Sequence, residues 1–346
     1  MEVLFLDVGF GTCNILLLGS GEAIVIDAGG RSKEPIAALH HFGVQRIVHL
    51  IISHWHDDHV GGATGVLQAY ASQIDKVWFP FDPAFRKTEF WHALKQENAA
   101  GTLPDDRIEP LLVKGTGPAT LWSSPALGAD LSLVSPSFME NNLGVASGNS
   151  NSTCGVLVLR VGTQRVVFAG DATLAQWEKV QGRISVPINA GVLAVPHHAG
   201  CLWPGRWTPT QTAAALDRLY SDLVKPGAAI ISAGTRPGRH HPREDVVAAL
   251  RRANSRILCT QMTARCTSDL EAARDLQQRS LPVLAPGRSS PTALATKAKQ
   301  PNHVACAGSV LVEVLASGTT IRQLALHQNF VSAIPNSAGI LPLCCR

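Results

Sequence analysis

The stretch ISHWHDDHVGG at residues 52–62 places three histidines and two aspartates within six consecutive positions. It continues the run RIVHLIIS (46–53), which is mostly apolar, contains no turn residue and therefore predicts a buried strand. After two glycines, ATGVLQAYASQI (63–74) carries apolar residues at helical spacing. The cluster is thus predicted to lie in a loop between a strand and a helix, where α/β folds place functional side chains.

The order His-x-His-x-Asp-His in this cluster is typical of a metal site. Imidazole and carboxylate groups suit zinc, manganese or iron, and alternate side chains can point at two adjacent positions. We therefore predict that His54 and His56 bind one ion and that Asp58 and His59 bind a second. A solvated, histidine-rich loop is the alternative, and it is disfavoured because crowded imidazoles and carboxylates lose hydration without gaining a cation.

Three later segments repeat the same arrangement of an apolar strand followed by ligand-type side chains. They are QRVVFAGDAT (164–173), VLAVPHHAG (192–200) and AAIISAGTRPGRHHPRE (228–244). Taken singly, each is a common turn or a surface histidine pair. Following the first cluster in this order they reinforce it, and we predict Asp171, His198 and His241 as further metal ligands, with Asp171 as a bridging carboxylate.

The remaining polar groups of these segments are candidates for proton transfer. We assign catalytic roles to His197, His240 and Asp58, although the residue types alone leave open which histidine of each pair ligates. Arg239 and Arg243 lie beside the last pair, and guanidinium groups bind phosphate through paired hydrogen bonds. Both arginines are therefore predicted to bind substrate.

Five blocks of the sequence resemble the metallo-β-lactamase superfamily, and within it the hydrolase domain of the competence protein ComEC and its stand-alone relatives. They are FLDVGFGTCNILLLGSGEAIVIDAGG (5–30), SHWHDDHVGG (53–62), NSTCGVLVLRVGTQRVVFAGD (151–171), VLAVPHHAG (192–200) and ISAGTRPGRHHP (231–242). The likeness spans residues 3–256. It implies a metal-dependent hydrolase with two divalent ions, zinc or manganese, acting on a phosphodiester.

The sequence departs from that pattern in two places. The turn at residues 11–14 reads GTCN, where the ComEC-like group has an acidic residue, so this turn is not expected to ligate. Many superfamily members add a histidine between the first cluster and Asp171, but residues 60–170 hold only His92, in a predicted helix. Asn151, near the expected place, or water would then complete the first metal's shell and contact substrate.

Composition and the order of elements indicate one large domain. The chain has 346 residues, 45% of them apolar, which is enough to bury a sizeable core. Two halves of strands, an active-site loop and helices predict an αββα sandwich, with two mixed sheets between helical layers, over residues 1–346. We expect a loop at about 267–303 and a C-terminal strand pair at about 304–330 that closes the second sheet.

Charge and hydropathy limit the partners. The formal net charge is +4 with 16% charged residues, too mild for a long electrostatic track along a duplex. The first residues, MEVLFLDVG, read as a strand rather than a signal peptide, and no run approaches the length of a membrane helix. A cytoplasmic enzyme without a membrane partner is expected, with its oligomeric state and any protein partner left open.

The eight cysteines do not read as a secreted disulfide framework. One subset offers soft ligands close together in sequence: Cys259, Cys266, His303 and Cys306. A structural zinc at these four residues is one interpretation, and buried free thiols are the other.

The function favoured by these observations is hydrolysis of nucleic acid by a metal-activated water, as a phosphodiesterase or nuclease. Two alternatives remain. One is a hydrolase of a small phosphodiester or an ester, and the other is a metal-binding subunit without catalytic activity. The complete His-x-His-x-Asp-His set argues against the second alternative, and the missing middle histidine argues for it.

Overall fold

A computed structural model of the chain describes residues 1–203, 205–235, 241–263, 265–267, 270, 273, 303–334, 342 and 344. Two β-sheets pack face to face, and helices cover the outer face of each sheet. The predicted αββα sandwich with two mixed sheets is confirmed.

The first sheet has eight strands and is built from both ends of the chain. Its strands are β1 (Glu2–Phe5), β2 (Asn14–Gly19), β3 (Glu22–Ile26), β4 (Arg46–Ile51), β5 (Ile74–Phe79), β6 (Ile108–Pro110), β14 (Val310–Leu315) and β15 (Gly318–Ile321). They are ordered β15-β14-β1-β2-β3-β4-β5-β6. The pairs from β15 to β3 are antiparallel and those from β3 to β6 are parallel.

The second sheet has seven strands from the middle of the chain. They are β7 (Ala119–Ser124), β8 (Ala129–Ser135), β9 (Val156–Val161), β10 (Gln164–Phe168), β11 (Val192–Ala194), β12 (Ala228–Ile231) and β13 (Arg256–Cys259). They follow the order β13-β12-β11-β10-β9-β8-β7. The pairs from β10 to β13 are parallel, so the loops that follow β10, β11 and β12 leave the sheet at one edge.

Nine α-helices are described. They are α1 (Lys33–His41), α2 (Asp57–Val60), α3 (Ala63–Tyr70), α4 (Glu89–Ala99), α5 (Phe138–Ala146), α6 (Leu174–Gln181), α7 (Pro209–Asp217), α8 (Glu244–Arg252) and α9 (Leu324–Ala333). A π-helical segment at Arg218–Val224 extends α7. No helix among the described residues is long and apolar enough to cross a membrane.

Helix α8 shows how the sequence specifies the outer layer. Its buried side chains recur at helical spacing and pack on the second sheet, as Val246, Val247, Ala249 and Leu250. Acidic residues occupy its first turn and two arginines its last turn, which complements the helix dipole. Arg251 and Arg252 therefore help to stabilise the C-terminal end of α8.

The core between the sheets consists of buried apolar side chains. Phe5 of β1 and Phe168 of β10 face each other across it, with ring centroids 6.1 Å apart, and each is 1% exposed. Burial of one such ring contributes roughly 1.5–3 kcal/mol. Phe168 lies three residues before Asp171, so this packing fixes the strand end that carries a predicted ligand.

Two predicted elements differ in the structure. The helix after the first cluster ends at Tyr70, and Ile74 instead begins β5, because a buried residue suits either element and its spacing alone does not separate them. The C-terminal strand pair joins the first sheet, since β14 pairs with β1 in register Val3↔Val312, and Leu324 starts a helix. The predicted loop at 267–303 lies largely outside the described residues.

Candidate active site

The site forms where strands of both sheets end. The loop after β4 carries residues 54–59, the turn after β10 carries Asp171, and the turn after β11 carries His197 and His198. Because β3 and β4 are parallel neighbours, Asp27 at the end of β3 reaches the same place. The rigid sheets thus bring together side chains that are more than a hundred residues apart in sequence.

The first group of converging ligand atoms belongs to His54, His56 and Asp171. His54 Nε2 lies 3.1 Å from His56 Nδ1 and 3.6 Å from Asp171 Oδ2. His54 and Asp171 are buried, whereas His56 is partly exposed.

The second group consists of Asp58, His59 and His198. His198 Nε2 lies 3.4 Å from Asp58 Oδ2. His59 Nε2 lies 3.0 Å from Asp171 Oδ1, so the second group adjoins the first through the Asp171 carboxylate. Asp171 therefore stands between the two groups, and its bridging role stays a prediction.

These donors fit a divalent metal ion. His198 Nε2 is buried and forms no hydrogen bond in the described structure, and the 3.0 Å contact of His59 Nε2 with Asp171 Oδ1 does not have hydrogen-bond geometry, although buried polar atoms normally have partners. Two carboxylates and four imidazoles in one pocket would be costly to desolvate without a cation. Nitrogen and oxygen donors in this number and proximity suit zinc and related metals.

Hydrogen bonds behind the ligands fix which ring nitrogen is available. His59 Nδ1 donates to Asp27 Oδ2 at 2.7 Å, and His198 Nδ1 donates to the Ser232 carbonyl at 2.9 Å. Both rings must then carry their proton on Nδ1, which leaves the Nε2 lone pair pointing into the site. The same carboxylate of Asp27 accepts from Ser53 N and from Ser53 Oγ, each at 2.7 Å.

Glycines hold the backbone of the first cluster in place. A Cβ on Gly29 would lie 1.9 Å from the Asp58 carbonyl oxygen, so only glycine fits there. Thr12 N donates to that same carbonyl at 2.8 Å, and Ala28 N donates to the His59 carbonyl at 2.8 Å. The turn at 11–14 thus positions the metal loop through its backbone, and its side chains join neither ligand group.

Strained backbone marks the turn after β11. His197, His198 and Ala199 have φ values of 53°, 52° and 59°, in the left-handed region that non-glycine residues rarely occupy. Hydrogen bonds from His197 N to the Gly170 carbonyl (2.9 Å) and from His197 Nδ1 to the Cys201 carbonyl (2.7 Å) hold it. Strain of this kind persists where the surrounding structure fixes a functional geometry.

Mutual electrostatics keep the two acidic ligands ionised. Burial opposes ionisation of Asp171, but the charge of His59 and the adjoining ring of His54 outweigh it and lower the pKa of Asp171 well below its usual range. Burial likewise opposes ionisation of Asp58, and the close approach of the His198 ring, with Nε2 3.4 Å from Asp58 Oδ2, outweighs it, so the pKa of Asp58 is also lowered. Burial lowers the pKa of His54, whose ring is thereby kept neutral and able to ligate.

His241, a predicted ligand, lies outside both groups. Its ring packs 5.2 Å from that of His197 and 5.9 Å from that of Phe10, measured between centroids. A Cβ on Gly200 would come within 2.3 Å of His241 Cε1, so glycine leaves room for this ring. His197 itself borders the first group, with Nε2 3.7 Å from Asp171 Oδ2.

The predicted substrate-binding residues have mixed positions. The Arg243 guanidinium donates to both carboxylate oxygens of Asp245, at 2.9 and 2.6 Å, and lies over the Trp203 ring. The guanidinium nitrogens that were predicted to bind substrate therefore donate to Asp245 instead. Ser150, rather than Asn151, meets the first group, with Oγ 2.6 Å from His56 Nε2. Arg239 and His240 lie outside the described residues.

Several contributing residues were not predicted. Asp27 ends the strand IVIDAGG, and its position after a buried strand could have identified it. Ser53, Ser150 and Cys154 gave no such signal, because a hydroxyl or thiol beside a strand end is common. Cys154 Sγ accepts from Asp171 N at 3.1 Å and lies 3.7 Å from His54 Nδ1.

The C-terminal ligand set differs from the predicted one. Among the described residues, the ligand atoms that converge there belong to Cys306, His327 and Cys344, and His303 is not among them. The reason is helix α9, which follows a strand pair in the first sheet and carries His327 on its buried side. The strand pair predicted at about 304–330 includes His327, which lies in a helix instead.

Comparison with known proteins settles the family. The model of the metallo-β-lactamase superfamily matches residues 8–203, more than half of the chain, and this range contains both ligand groups. The chain belongs to the metallo-β-lactamase superfamily. Most members are hydrolytic metalloenzymes that bind divalent metals, usually zinc. The finer resemblance to the ComEC-like group stays a prediction, and no curated protein sequence matches the chain significantly.

Solved structures resemble the chain at low sequence identity. A mutant of the β-hydroxylase CmlA is 14% identical, with a TM-score of 0.45, covering 75% of this chain and 52% of that one. YhfI from Bacillus subtilis, a metallo-β-lactamase fold protein, is 12% identical with a TM-score of 0.40, covering 75% and 95%. Zn²⁺-bound PqqB from Methylobacterium extorquens is 10% identical with a TM-score of 0.40, covering 75% and 98%. This chain spans about half of the length of CmlA.

Proposed function

We propose that this protein is a metal-dependent phosphodiesterase that cleaves nucleic acid with two divalent ions. The proposal rests on two adjacent ligand groups that meet at Asp171. His54 and His56 lie on one side of this carboxylate, and Asp58, His59 and His198 lie on the other. Two adjacent ions are the arrangement by which hydrolases clamp a phosphoryl group and its attacking oxygen.

The residues divide the chemistry among them. Divalent ions at these positions would lower the pKa of a bound water to near 7 and stabilise charge on the scissile group. Asp171 directs one oxygen to each group and sets their spacing. His197 donates from Nδ1 to a backbone carbonyl, so its Nε2, on a side chain that is 25% exposed, carries the lone pair of the neutral ring and would take the proton of the attacking water and pass it to the leaving oxygen.

Exposed aromatic rings near two segments that contribute residues to the site support a single-stranded nucleic acid as substrate. Phe138 (55% exposed) begins α5 and lies 6.3 Å from Phe81 (41% exposed) between ring centroids. The segment after α5 brings Ser150 to His56. Trp207 stacks on Trp203 at 5.5 Å, close to the turn that carries His197. Unstacked bases bind to such rings irrespective of sequence.

The test compares cleavage and metal content in matched variants. Wild type and an Asp58→Ala, His59→Ala double variant are assayed on labelled single-stranded RNA, single-stranded DNA and duplex, with Mn²⁺ or Zn²⁺ added. The control is Asp57→Asn, which alters an exposed carboxylate next to the ligands. We expect cleavage of single strands by wild type and control and none by the double variant.

Other outcomes would replace the proposal. Bound metal with cleavage only of a small diester, such as bis(p-nitrophenyl) phosphate, or of an ester would move the substrate class to small molecules. Absence of bound metal in the wild type would favour a non-catalytic subunit. Equal cleavage by the double variant would mean that the observed activity does not arise from this site.

A further inference from the structure

A second cluster of metal-binding side chains lies far along the chain from the active site. Cys306 Sγ is 3.2 Å from His327 Nε2, and Cys344 Sγ is 4.0 Å from the same nitrogen. All three ligand atoms lie within 4.8 Å of one another. Two thiolates at 2.3 Å from a tetrahedral zinc stand about 3.8 Å apart, so these separations need only small adjustments to enclose an ion.

Two more thiols border this cluster. Cys259 ends β13 and Cys266 follows shortly after it; both pack in the same core cluster as Cys306, and Cys344 lies against it. Burial and the neighbouring thiols of Cys266 and Cys344 raise the pKa of Cys259 well above its usual range. No disulfide joins any of the cysteines that the structure describes. Two thiols therefore contact one buried imidazole, two more lie in the same core, and no disulfide joins these four cysteines.

We propose that this part of the chain holds a structural zinc ion bound by Cys306, His327 and Cys344, with a fourth thiolate from Cys259 or Cys266. Three sulfurs and one imidazole are a common zinc-binding set, and four protein ligands leave no open position for catalysis. The donor chemistry differs from that of the active site, whose two ligand groups contain only nitrogen and oxygen atoms.

The position of the cluster explains what the ion would do. Cys306 N donates to the Thr260 carbonyl and Ala307 N to the Cys259 carbonyl, which ties the segment before β14 to the end of β13. β13 belongs to the second sheet and β14 to the first. His327 adds helix α9 to this junction. Zinc would thus fasten the C-terminal helix to the point where the two sheets meet.

The spectrum of the cobalt-substituted protein tests the proposal without any mutation. Thiolate ligands give Co²⁺ an intense sulfur-to-metal charge-transfer band in the near ultraviolet, which nitrogen and oxygen ligands do not give. We expect this band in the wild type, with sulfur neighbours at about 2.3 Å in zinc X-ray absorption. Lack of the band and of sulfur neighbours in the fully loaded wild-type protein would overturn the proposal.

Variants then locate the ion. Cys306→Ser and Cys344→Ser should each abolish the band and reduce zinc content by about one equivalent per chain. Cys154→Ser is the matched control, because it removes a buried thiol beside the active site and should leave the band unchanged. The band should persist in only one of Cys259→Ser and Cys266→Ser. Retention of the full band in both Cys306→Ser and Cys344→Ser, or a Cys306–Cys344 disulfide detected by thiol counting, would contradict the assignment.

Discussion

His59 Nδ1 donates a hydrogen bond of 2.7 Å to Asp27 Oδ2, while the opposite nitrogen of the same ring lies 3.0 Å from Asp171. The ring is thus held between a carboxylate that is hydrogen-bonded to Ser53 and a carboxylate of the ligand groups. Burial lowers the pKa of His59, but the charges of Asp171 and Asp27 outweigh it and raise that pKa well above its usual value. The raised pKa favours a second proton, on His59 Nε2. A metal ion bound to Nε2 would supply the same positive charge beside Asp171.

Asp27→Asn should weaken metal binding without unfolding the protein. The amide keeps the size of the carboxylate but removes the charge that orients His59, and losses of this kind reduce metal affinity by about 10–100-fold. The measurement is a zinc competition titration with a chromophoric chelator. Asp75→Asn is the control, since Asp75 pairs with Arg46 at the surface, where such pairs contribute about 0–1 kcal/mol. Equal zinc affinity in Asp27→Asn and wild type would refute this role.

Gly29→Ala should disrupt the metal loop through the backbone. The added Cβ would lie 1.9 Å from the Asp58 carbonyl oxygen, so the loop must move and carry Asp58 and His59 with it. We expect a loss of about 1–3 kcal/mol in the free energy of unfolding and reduced metal content. Gly117→Ala, where nothing lies within 4 Å of the new methyl group, should change neither quantity. Urea unfolding and metal analysis of both variants check this, and similar behaviour of the two would contradict it.

The sequence predicted the parts of the fold and site that depend on local pattern. An apolar run followed by His-x-His-x-Asp-His correctly placed β4 and the loop after it, and Leu174 begins α6 as expected. The pairing of β14 with β1 was not predicted, because tertiary packing determines which strands pair. The apolar sequence of a strand does not indicate which sheet it joins. Ser150 was missed for the same reason, since only the folded chain shows that a surface-type hydroxyl meets His56.

His49 should make the fold sensitive to acid. Burial, together with the charge of Lys76, lowers the pKa of His49 to about 4 from an ordinary value of 6.5. As the pH falls, the unfolded chain therefore protonates His49 before the folded chain does. The free energy of unfolding is unaffected by His49 above about pH 6.5 and decreases as the pH falls from about 6.5 towards about 4. The full shift corresponds to up to about 3 kcal/mol.

His49→Gln tests this origin of acid sensitivity. The glutamine oxygen can still accept the hydrogen bond that Trp78 Nε1 donates to His49 Nδ1 at 3.1 Å, but it does not titrate. Urea unfolding of both proteins at several pH values should show a smaller loss of stability in the variant between pH 6.5 and pH 4. His92→Gln, at an exposed position of α4, serves as control. Identical pH profiles for His49→Gln and wild type would rule out a contribution from His49.

Replacement of Phe138 should distinguish a nucleic-acid substrate from a small-molecule substrate. Its ring is 55% exposed at the start of α5, and stacking of a base on such a ring contributes about 1–3 kcal/mol. Phe138→Ala, made in the inactive Asp58→Ala, His59→Ala background, should therefore weaken binding of a labelled single strand by roughly 5–150-fold, with unchanged thermal stability. Leu143→Ala removes a side chain that is 67% exposed on the same helix but has no aromatic ring, and it should bind as the parent does. Equal weakening by both variants would indicate a general apolar contact, and no weakening by Phe138→Ala would mean that bases do not stack on this ring.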